Sequence, residues 1–275
     1  MNKIITRERD PRELQHGGLP PSLLHRNAQE PGPARNRILQ ALAPADRTRL
    51  LSLLQPVSFG PGDVICESGA HLERIYFPTT AVITSLYTTE DGSTVEMGLA
   101  GHDGVVGVSL FLGGDATMHR DVVVVPGGAL MMTARTLRDE FASSGPLRSL
   151  LLRYTQELIT QISKTAVCNR LHSAEHRLCR WLLMCHDRVE TDSLQMTQEF
   201  ISSMLGGRRE TVTVAARRLQ DAGLIRYARG HITILNRKGL EAAACECYLP
   251  VAGGRDRTPH TQVLPPRVVR PALLG

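Results

Sequence analysis

The spacing of apolar and polar residues changes along the chain and divides it into five segments. Residues 1–34 hold five prolines and few large apolar side chains, which favours a disordered arm. Residues 36–54 have the leucine-rich spacing of two short helices, with Pro44 tolerated at a first helical turn. From residue 55 to about 125, short β-type runs alternate with glycine-, proline- and aspartate-rich turns, as in a barrel or sandwich. The strands predicted there are 57–59, 63–67, 74–77, 81–87, 94–97 and 121–125.

A long amphipathic helix follows this β-rich region. Its pattern begins at Gly145 and Pro146 and extends to about Val189, with a break expected near residues 171–173. Apolar residues recur at gaps of three and four and form one stripe: Leu147, Leu151, Tyr154, Leu158 and Ile162. A near-heptad stripe between two domains is typical of a dimer seam. Packing of the stripe onto the chain's own barrel is the alternative.

Residues 197–219 have the pattern of two short helices joined by a tight turn. The apolar side chains of the first helix are Phe200, Ile201, Met204 and Leu205, and those of the second are Val212, Ala215, Ala216 and Leu219. Gly206 and Gly207 supply the positive φ that the reversal requires. The pattern predicts a helix-turn-helix, whose second helix lies with its N-terminal residues against base edges in the DNA major groove. An ordinary helical hairpin with a basic exposed face is the alternative.

Two short β-type runs come directly after this motif. Residues 224–227 and 231–235 flank Ala228-Arg229-Gly230, which is the spacing of a hairpin. A helix-turn-helix followed by a basic hairpin is a winged helix, and its tip would place Arg229 near the DNA phosphates.

Charge is distributed unequally between the two halves. Residues 195–238 hold eight basic and three acidic side chains, the basic surface that a phosphate backbone requires. Residues 55–145 hold four basic and eleven acidic side chains. The opposite charges of the β domain and the helical domain indicate that the two domains have different functions.

Composition sets broader limits. A chain of 275 residues, 42% apolar, is expected to form two domains, and no run of about 18 apolar residues indicates a membrane span. The polar N-terminus predicts no secretory signal, so we expect a cytoplasmic protein whose six scattered cysteines are reduced thiols. No constellation of a thiol or metal enzyme is evident, and we predict that the chain is not an enzyme.

The order of β-roll, long helix and winged helix resembles the CRP/FNR superfamily of bacterial transcription regulators over residues 36–240. The most specific residues are Gly206, the run Arg209-Glu210-Thr211-Val212, and the helix with Glu175, Arg177, Leu178, Trp181 and Leu182. Glycine turns match in the other half, Phe59-Gly60-Pro61-Gly62-Asp63 early and Gly104-Val105-Val106-Gly107-Val108 late. The resemblance implies an α+β fold with a cyclic-nucleotide-binding-like jelly roll, a dimerisation helix and a C-terminal winged helix.

The domains expected from this comparison are a disordered arm at 1–34, a sensor domain at 35–145, the dimerisation helix at 146–172, the DNA-binding domain at 173–248 and a disordered tail at 249–275. The partners expected are double-stranded DNA, a second copy of the chain and, for an activator, RNA polymerase. A nucleotide-responsive regulatory subunit that acts on a protein partner is the alternative function.

The resemblance also implies site residues. Arg209 and Glu210 match the two base-contacting positions, where Arg pairs with guanine and Glu accepts from cytosine. Arg208 and Thr211 would bind phosphates, whereas Val214 replaces a further Arg of some members. The full set of expected DNA contacts is Thr197, Gln198, Arg208, Arg209, Glu210, Thr211, Thr213, Arg217 and Arg229.

The expected effector pocket contains Gly107, Val108, His119 and Arg120, and it departs from the cyclic-nucleotide binders of the family. Val108 stands where they place a Glu for the ribose, and Asp121 beside Arg120 opposes an anionic phosphate. We therefore expect no response to cyclic AMP.

No cofactor and no metal site are predicted. The iron–sulfur cluster of some members of the family needs a closely spaced N-terminal group of cysteines, and it is not expected here because residues 1–65 contain no cysteine. The possible haem ligands His71, His102 and Cys66 are more typical of solvated loops. His172, His176 and Cys179 have zinc-ligand spacing only on an unbroken helix, and the break near residue 171 would separate them. Cys245 and Cys247 are too close in sequence for an unstrained disulfide.

Overall fold

The computed structural model describes residues 35–251. The arm expected at 1–34 and the tail from 252 to 275 lie outside these residues. Residues 249–251 belong to the described chain, and the Val251 amide donates to a carboxylate oxygen of Asp187 at 3.2 Å. The architecture is α+β, with a β-roll, a long helix and a C-terminal winged helix. Among residues 35–251, no helix combines the length and hydropathy that crossing a bilayer requires.

The N-terminal half is a roll of two antiparallel sheets. Its strands are β1 (Gln55–Phe59), β2 (Val64–Cys66), β3 (Arg74–Pro78), β4 (Val82–Thr88), β5 (Thr94–Ala100), β6 (Arg120–Val125) and β7 (Gly127–Thr133). One sheet has the order β1-β7-β3 and the other β2-β6-β4-β5. Helices α1 (Arg37–Gln40) and α2 (Pro44–Leu51) precede the roll, a 3-10 turn (Val108–Phe111) lies within it, and α3 (Ala134–Ser143) follows it.

The central strand β7 was not predicted from the sequence. It begins with two glycines and lacks a regular alternation, yet it pairs with both β1 and β3. A Cβ atom on Gly127 would lie 2.6 Å from the Ala81 amide nitrogen, so the entrance to this strand requires glycine. Pairing with β1 and β3 therefore stabilises a strand whose own residues have only a weak preference for β structure.

The long helix α4 (Gly145–Leu171) has defined ends. The Ser144 hydroxyl accepts from the Leu147 amide at 3.4 Å, and Pro146 occupies the first turn. Leu171 is the last helical residue, and the Ser173 hydroxyl then caps α5 (Ala174–His186). The predicted break near residues 171–173 is confirmed.

The apolar stripe of α4 packs against the chain's own β-roll. Leu147, Leu151 and Tyr154 are buried in one core with residues of the roll, Leu158 packs on that core, and Ile162 is half-buried near Gly98. The approach is close, since a Cβ on Gly104 would lie 2.3 Å from the Tyr154 ring. The predicted dimer seam is therefore corrected at Leu147, Leu151 and Tyr154, because the same chain covers them. Leu158 and Ile162 remain partly exposed. The uncovered face of α4 instead presents Leu152, Ile159 and Val167.

The C-terminal half is a small winged helix. After α5 come β8 (Ser193–Gln195), α6 (Gln198–Leu205), α7 (Arg209–Asp221), β9 (Ile225–Ala228), β10 (His231–Ile234) and α8 (Arg237–Ala242). Strand order β8-β10-β9 extends the predicted hairpin by one short strand. Strand β8 had no sequence signal, because its three residues contain a single buried side chain.

Helix α5 lies between the two halves, and residues 178–188 are all buried. The apolar cluster around it includes Val82 and Leu99 of the roll as well as Ile201 and Val212 of the winged helix. The two halves therefore share one hydrophobic core across α5.

The buried charges of this segment all have partners. Arg188 binds both carboxylate oxygens of Asp103, at 2.6 and 3.0 Å. Arg180 donates to the Thr165 hydroxyl at 2.8 Å. Asp187 pairs with Arg237 and accepts from the Tyr248 hydroxyl at 2.8 Å. Burial of a charge costs stability unless it is paired in this way.

Glu96 on β5 accepts a hydrogen bond from the Trp181 indole nitrogen on α5. Both side chains are almost fully buried. Burial raises the pKa of Glu96 to about 7, although Arg180, the Trp181 hydrogen bond and Arg188 oppose the shift. The contact between the halves therefore includes a carboxyl group that favours its protonated form.

We predict that the Glu96→Gln substitution removes one source of pH dependence. The pKa is higher in the folded chain than its ordinary value of 4.5, so the folded form binds the proton more tightly. This contribution to the free energy of unfolding is therefore present at low pH and is lost as the pH rises through about 7. Gln keeps an acceptor oxygen for Trp181 and carries no charge, so the variant should gain stability relative to the wild type as pH rises.

Urea unfolding followed by circular dichroism between about pH 5 and about pH 8 measures this difference. Glu90→Gln, at an exposed turn residue, is the matched control and should follow the wild-type profile. Parallel profiles for Glu96→Gln and wild type would contradict the prediction.

Candidate nucleic-acid interface

The turn between α6 and α7 is fixed by local hydrogen bonds and by one glycine. The Thr197 hydroxyl accepts from the Phe200 amide at 3.1 Å and caps α6. Gly206 ends α6 with φ of 58°, which places it in the left-handed region that favours glycine. Arg177 of α5 donates to the Leu205 carbonyl at 2.8 Å and binds the end of α6 to the neighbouring helix. These contacts orient the start of α7.

Helix α7 buries one face and exposes the other. Val212, Ala215, Ala216 and Leu219 are buried against α5 and its neighbours. Four of the predicted DNA-contacting residues of α7, together with Arg208 at its N-cap, form the exposed side: Arg208, Arg209, Glu210, Thr211 and Arg217. Glu210 lies in the first turn, where the helix dipole favours an acid. An exposed N-terminal turn is the part of such a helix that can enter a major groove.

Two predicted contact residues bind each other across the two helices. The Thr213 hydroxyl lies 3.1 Å from the Gln198 side-chain oxygen and also 2.9 Å from the Arg209 carbonyl. Their geometry holds α6 against α7. Arg217 extends from the same side of α7 and lies 3.9 Å from Asp221 in an exposed ion pair.

The wing brings Arg229 to the tip of the β9–β10 hairpin. Arg229 has φ of 51°, and among the described residues other than glycine it alone has positive φ. Such a conformation costs on the order of 1 kcal/mol for a residue with a Cβ. The side chain is exposed, so the strained backbone presents a cation to solvent. Tyr227 at the base of the wing donates to the Met196 carbonyl at 3.3 Å, and burial raises its pKa.

The helix-turn-helix also contacts the β-roll. A Cβ on Gly206 would lie 3.1 Å from a Val95 methyl, and the Thr94 hydroxyl donates to the Ser203 carbonyl at 3.3 Å. Strand β5 thus packs against the C-terminal end of α6. The first turn of α7 remains exposed in this arrangement.

Carboxylates surround the expected effector residues. Arg120 pairs with Glu67 at 3.1 Å, and His119 lies 3.4 Å from buried Asp121. The cavity beside Gly107 has a volume of about 130 Å³. Val108 begins the 3-10 turn next to it. Ligand pockets generally occupy roughly 300–1,000 Å³, so this cavity is small for a nucleotide.

A larger cavity of about 400 Å³ lies between α4, α5 and residues 247–251. Arg153, Lys164 and Arg180 line it together with Glu157 and Tyr154. Sequence reasoning did not find this cavity, because its walls come together only when the C-terminal segment packs against α4.

A cluster of thiols and an imidazole was also missed. Cys168, His172, Cys245 and Cys247 have ligand atoms that all lie within 4.8 Å of one another. His176 and Cys179 do not belong to this group. Helix α4 ends at Leu171, so these two residues lie on α5 and do not share one continuous helix with His172. Two signals were present in the sequence: C-x-x-x-H at Cys168 and His172, which was not recognised, and C-x-C at Cys245 and Cys247, which was interpreted only as a strained redox pair.

Comparisons with known proteins agree with this architecture. Residues 176–243 match the family model of the Crp-like helix-turn-helix domain. A search of curated protein sequences gave no match. Because the family match covers α5 to α8, it includes the whole region described above as the interface.

Solved structures match over both halves. FixK2 from Bradyrhizobium japonicum has a TM-score of 0.61 and 17% identity, over 70% of this chain and 98% of that chain. A regulator of the crp/fnr family from Eubacterium rectale has a TM-score of 0.59 and 18% identity, over 75% and 97%. A CRP-family regulator from Thermus thermophilus has a TM-score of 0.60 and 16% identity, over 71% and 100%. The chain thus has the fold of CRP/FNR-family transcription regulators and carries a Crp-like helix-turn-helix domain.

Proposed function

We propose that this protein is a sequence-specific DNA-binding transcription regulator that binds an inverted repeat as a homodimer. The observation that supports this function most directly is the exposed first turn of α7, with Arg209 and Glu210 beside a basic wing. Two such helices related by a two-fold axis would meet successive major grooves about one helical turn apart.

Arg209 and Glu210 are assigned to the bases, and Arg208, Thr211, Arg217 and Arg229 to the phosphates. A guanidinium can donate two parallel hydrogen bonds to guanine O6 and N7, and a carboxylate can accept from cytosine N4. Arg208 is the N-cap residue of the helix, and its exposed side chain makes no cap hydrogen bond, so its charge is available to the DNA phosphates. Thr197, Gln198 and Thr213 support these contacts through the helix ends they bind.

Selection of binding sites from random DNA, followed by fluorescence anisotropy, tests the function and the role of Arg209. We expect an enriched inverted repeat, and Arg209→Ala should relax the preference for one guanine in each half-site. The expected cost is about 1–3 kcal/mol for each lost bidentate contact.

Arg208→Ala is the matched comparison, because it removes the same charge one residue earlier. It should weaken binding to all DNA sequences alike. The slope of log K against log salt concentration should fall by about one, the amount expected for the loss of one phosphate contact. If Arg209→Ala behaves in the same uniform way, the base assignment is wrong. If no DNA sequence is enriched, a regulatory role on a protein partner becomes the better explanation.

The exposed face of α4 is assigned to the dimer. Leu152, Ile159 and Val167 are 46%, 52% and 47% exposed and recur at gaps of seven and eight residues. Gln156 and Ser163 lie between them on the same side. A stripe with this spacing suits a second α4 related by a two-fold axis. In such a dimer, the buried stripe of each α4 would remain packed against the β-roll of its own chain.

We expect Ile159→Glu to weaken the dimer by at least about tenfold in Kd, because it places a charge at the centre of an apolar seam. Sedimentation velocity over a concentration series gives the association constant. Leu112→Glu is the control, since Leu112 is 54% exposed but lies on the β-roll. Equal dissociation in both variants, or none in either, would place the dimer contact elsewhere.

Cyclic AMP is not expected to act as the effector. A Glu67 carboxylate oxygen lies 3.1 Å from Arg120, Asp121 adds a negative charge beside it, and the adjoining cavity is small. Desolvating a phosphate against these carboxylates is unfavourable. The protein is therefore expected to bind DNA without this nucleotide.

Isothermal calorimetry of the ligand-free protein with cyclic AMP should show no saturable heat, and the nucleotide should leave the anisotropy titration unchanged. A tight complex with one nucleotide per chain would overturn this assignment. In that case the Arg120–Glu67 pair must open on binding.

A further inference from the structure

The cluster of Cys168, His172, Cys245 and Cys247 lies where three parts of the chain meet. Cys168 belongs to the last turn of α4, His172 caps that helix, and the two other cysteines follow α8. The three thiols are buried and the imidazole is 16% exposed. Residues 77 positions apart therefore supply one compact group of sulfur and nitrogen atoms.

The distances suit one tetrahedral metal ion. With Zn–S bonds of about 2.3 Å and Zn–N bonds of about 2.0–2.1 Å, the ligand atoms of a tetrahedron lie about 3.8 Å apart for S···S and about 3.6 Å for S···N. In the structure, the Cys168 and Cys245 Sγ atoms are 3.5 Å apart. The Cys247 Sγ atom lies 3.6 Å from His172 Nδ1. These two pairs already have the spacing of a tetrahedral site, and all four ligand atoms lie within 4.8 Å of one another.

The surroundings complete the site. His172 directs Nδ1 to the thiols, and its other nitrogen, Nε2, lies 3.5 Å from the Glu246 carboxylate. A carboxylate in this position orients a ligating histidine and increases its basicity. Arg180 donates to the Cys247 carbonyl at 3.3 Å, which places a cation beside the site. That cation would offset the net charge of minus one of three thiolates around a divalent ion.

Two other uses of these cysteines fit less well. A disulfide requires an S–S distance of about 2.05 Å, and all the cysteines in the described part of the chain are free thiols. An iron–sulfur cluster distributes its thiolate ligands over several iron atoms, so it needs ligands farther apart than these. Three sulfurs and one imidazole nitrogen in a closed tetrahedron are typical of structural zinc.

We propose that Cys168, His172, Cys245 and Cys247 form a structural zinc site that fastens the end of α4 to the segment after the winged helix. The ion replaces the three thiol protons, which pass to solvent, and closes a long loop that contains the entire DNA-binding domain. The site stands independently of the proposed DNA binding, because it is defined by metal uptake.

The full-length chain, purified with reductant and without chelator, should contain about one zinc ion by native mass spectrometry and by elemental analysis. After removal of zinc, titration with Co²⁺ should give the visible bands of a tetrahedral ion together with thiolate charge transfer. Chelation should lower the midpoint of thermal unfolding, and added Zn²⁺ should restore it.

Variants identify the ligands. His172→Ala should weaken Zn²⁺ binding by more than the roughly tenfold to hundredfold that loss of a supporting group costs. Glu246→Gln, at an exposed supporting residue, should fall within that range. His172→Cys should retain the metal and increase the thiolate charge transfer. Cys66→Ser, at a half-buried thiol in the β-roll, is the control and should keep its zinc.

The proposal is overturned if the reduced wild-type chain takes up no Zn²⁺ or gives an octahedral Co²⁺ spectrum. Equal metal loss in Cys66→Ser and His172→Ala would also overturn it. Circular dichroism of each variant separates loss of a ligand from loss of the fold, and the His172→Cys substitution tests the site even where alanine destabilises the chain.

Discussion

The burial of residues 178–188, which are most of α5 and the two residues after it, is the constraint on which the rest of the structure depends. Residues 178–188 have no exposed member, so each polar side chain among them must find a partner inside the protein. Arg188 forms a salt bridge with Asp103 of the β-roll, and Asp187 forms one with Arg237 of the winged helix. The Trp181 indole nitrogen donates a hydrogen bond to Glu96 of the roll. These partners belong to different halves, so the burial of this one segment holds both halves in position. The hydrophobic cluster around α5 adds to the same effect, because it combines strands of the roll with α6 and α7.

The helix-turn-helix and the hairpin of the wing could be predicted from the sequence, whereas strand β8 could not. The apolar spacing of 197–219, the glycine turn and the hairpin spacing around Arg229 all act within about a dozen residues, where local preference and pattern agree. The exposed first turn of α7 follows directly, since Val212, Ala215 and Ala216 must face the core. The strands of the roll were recognisable where apolar runs lay between strong turns. Strand β7 was not, because its pairing with β1 and β3 is non-local and its first two residues are glycines.

The stripe on α4 shows where periodicity alone is insufficient. Spacing shows that a helix has an apolar face, but it does not show whether the same chain or a second copy covers that face. The close contact of Tyr154 with Gly104 shows that the β-roll of the same chain covers this part of α4. The four-residue group at the end of α4 shows the same limit. Each pair of ligands is visible in sequence, yet only the packing of the segment after α8 brings Cys245 and Cys247 to Cys168 and His172. The most distinctive chemistry in the described chain thus depends on contacts that span some 77 residues.

A shared core also limits how a protein with this fold can evolve. In proteins whose domains touch only through a linker, recombination can exchange one domain and leave the other intact. Here a winged helix moved to another protein would carry α5 with it. The apolar side of α5 that packs against Val82 and Leu99 would then be exposed to solvent. Point changes on the exposed side of α7, such as at Val214, leave this core intact, whereas exchange of the whole winged helix disrupts it.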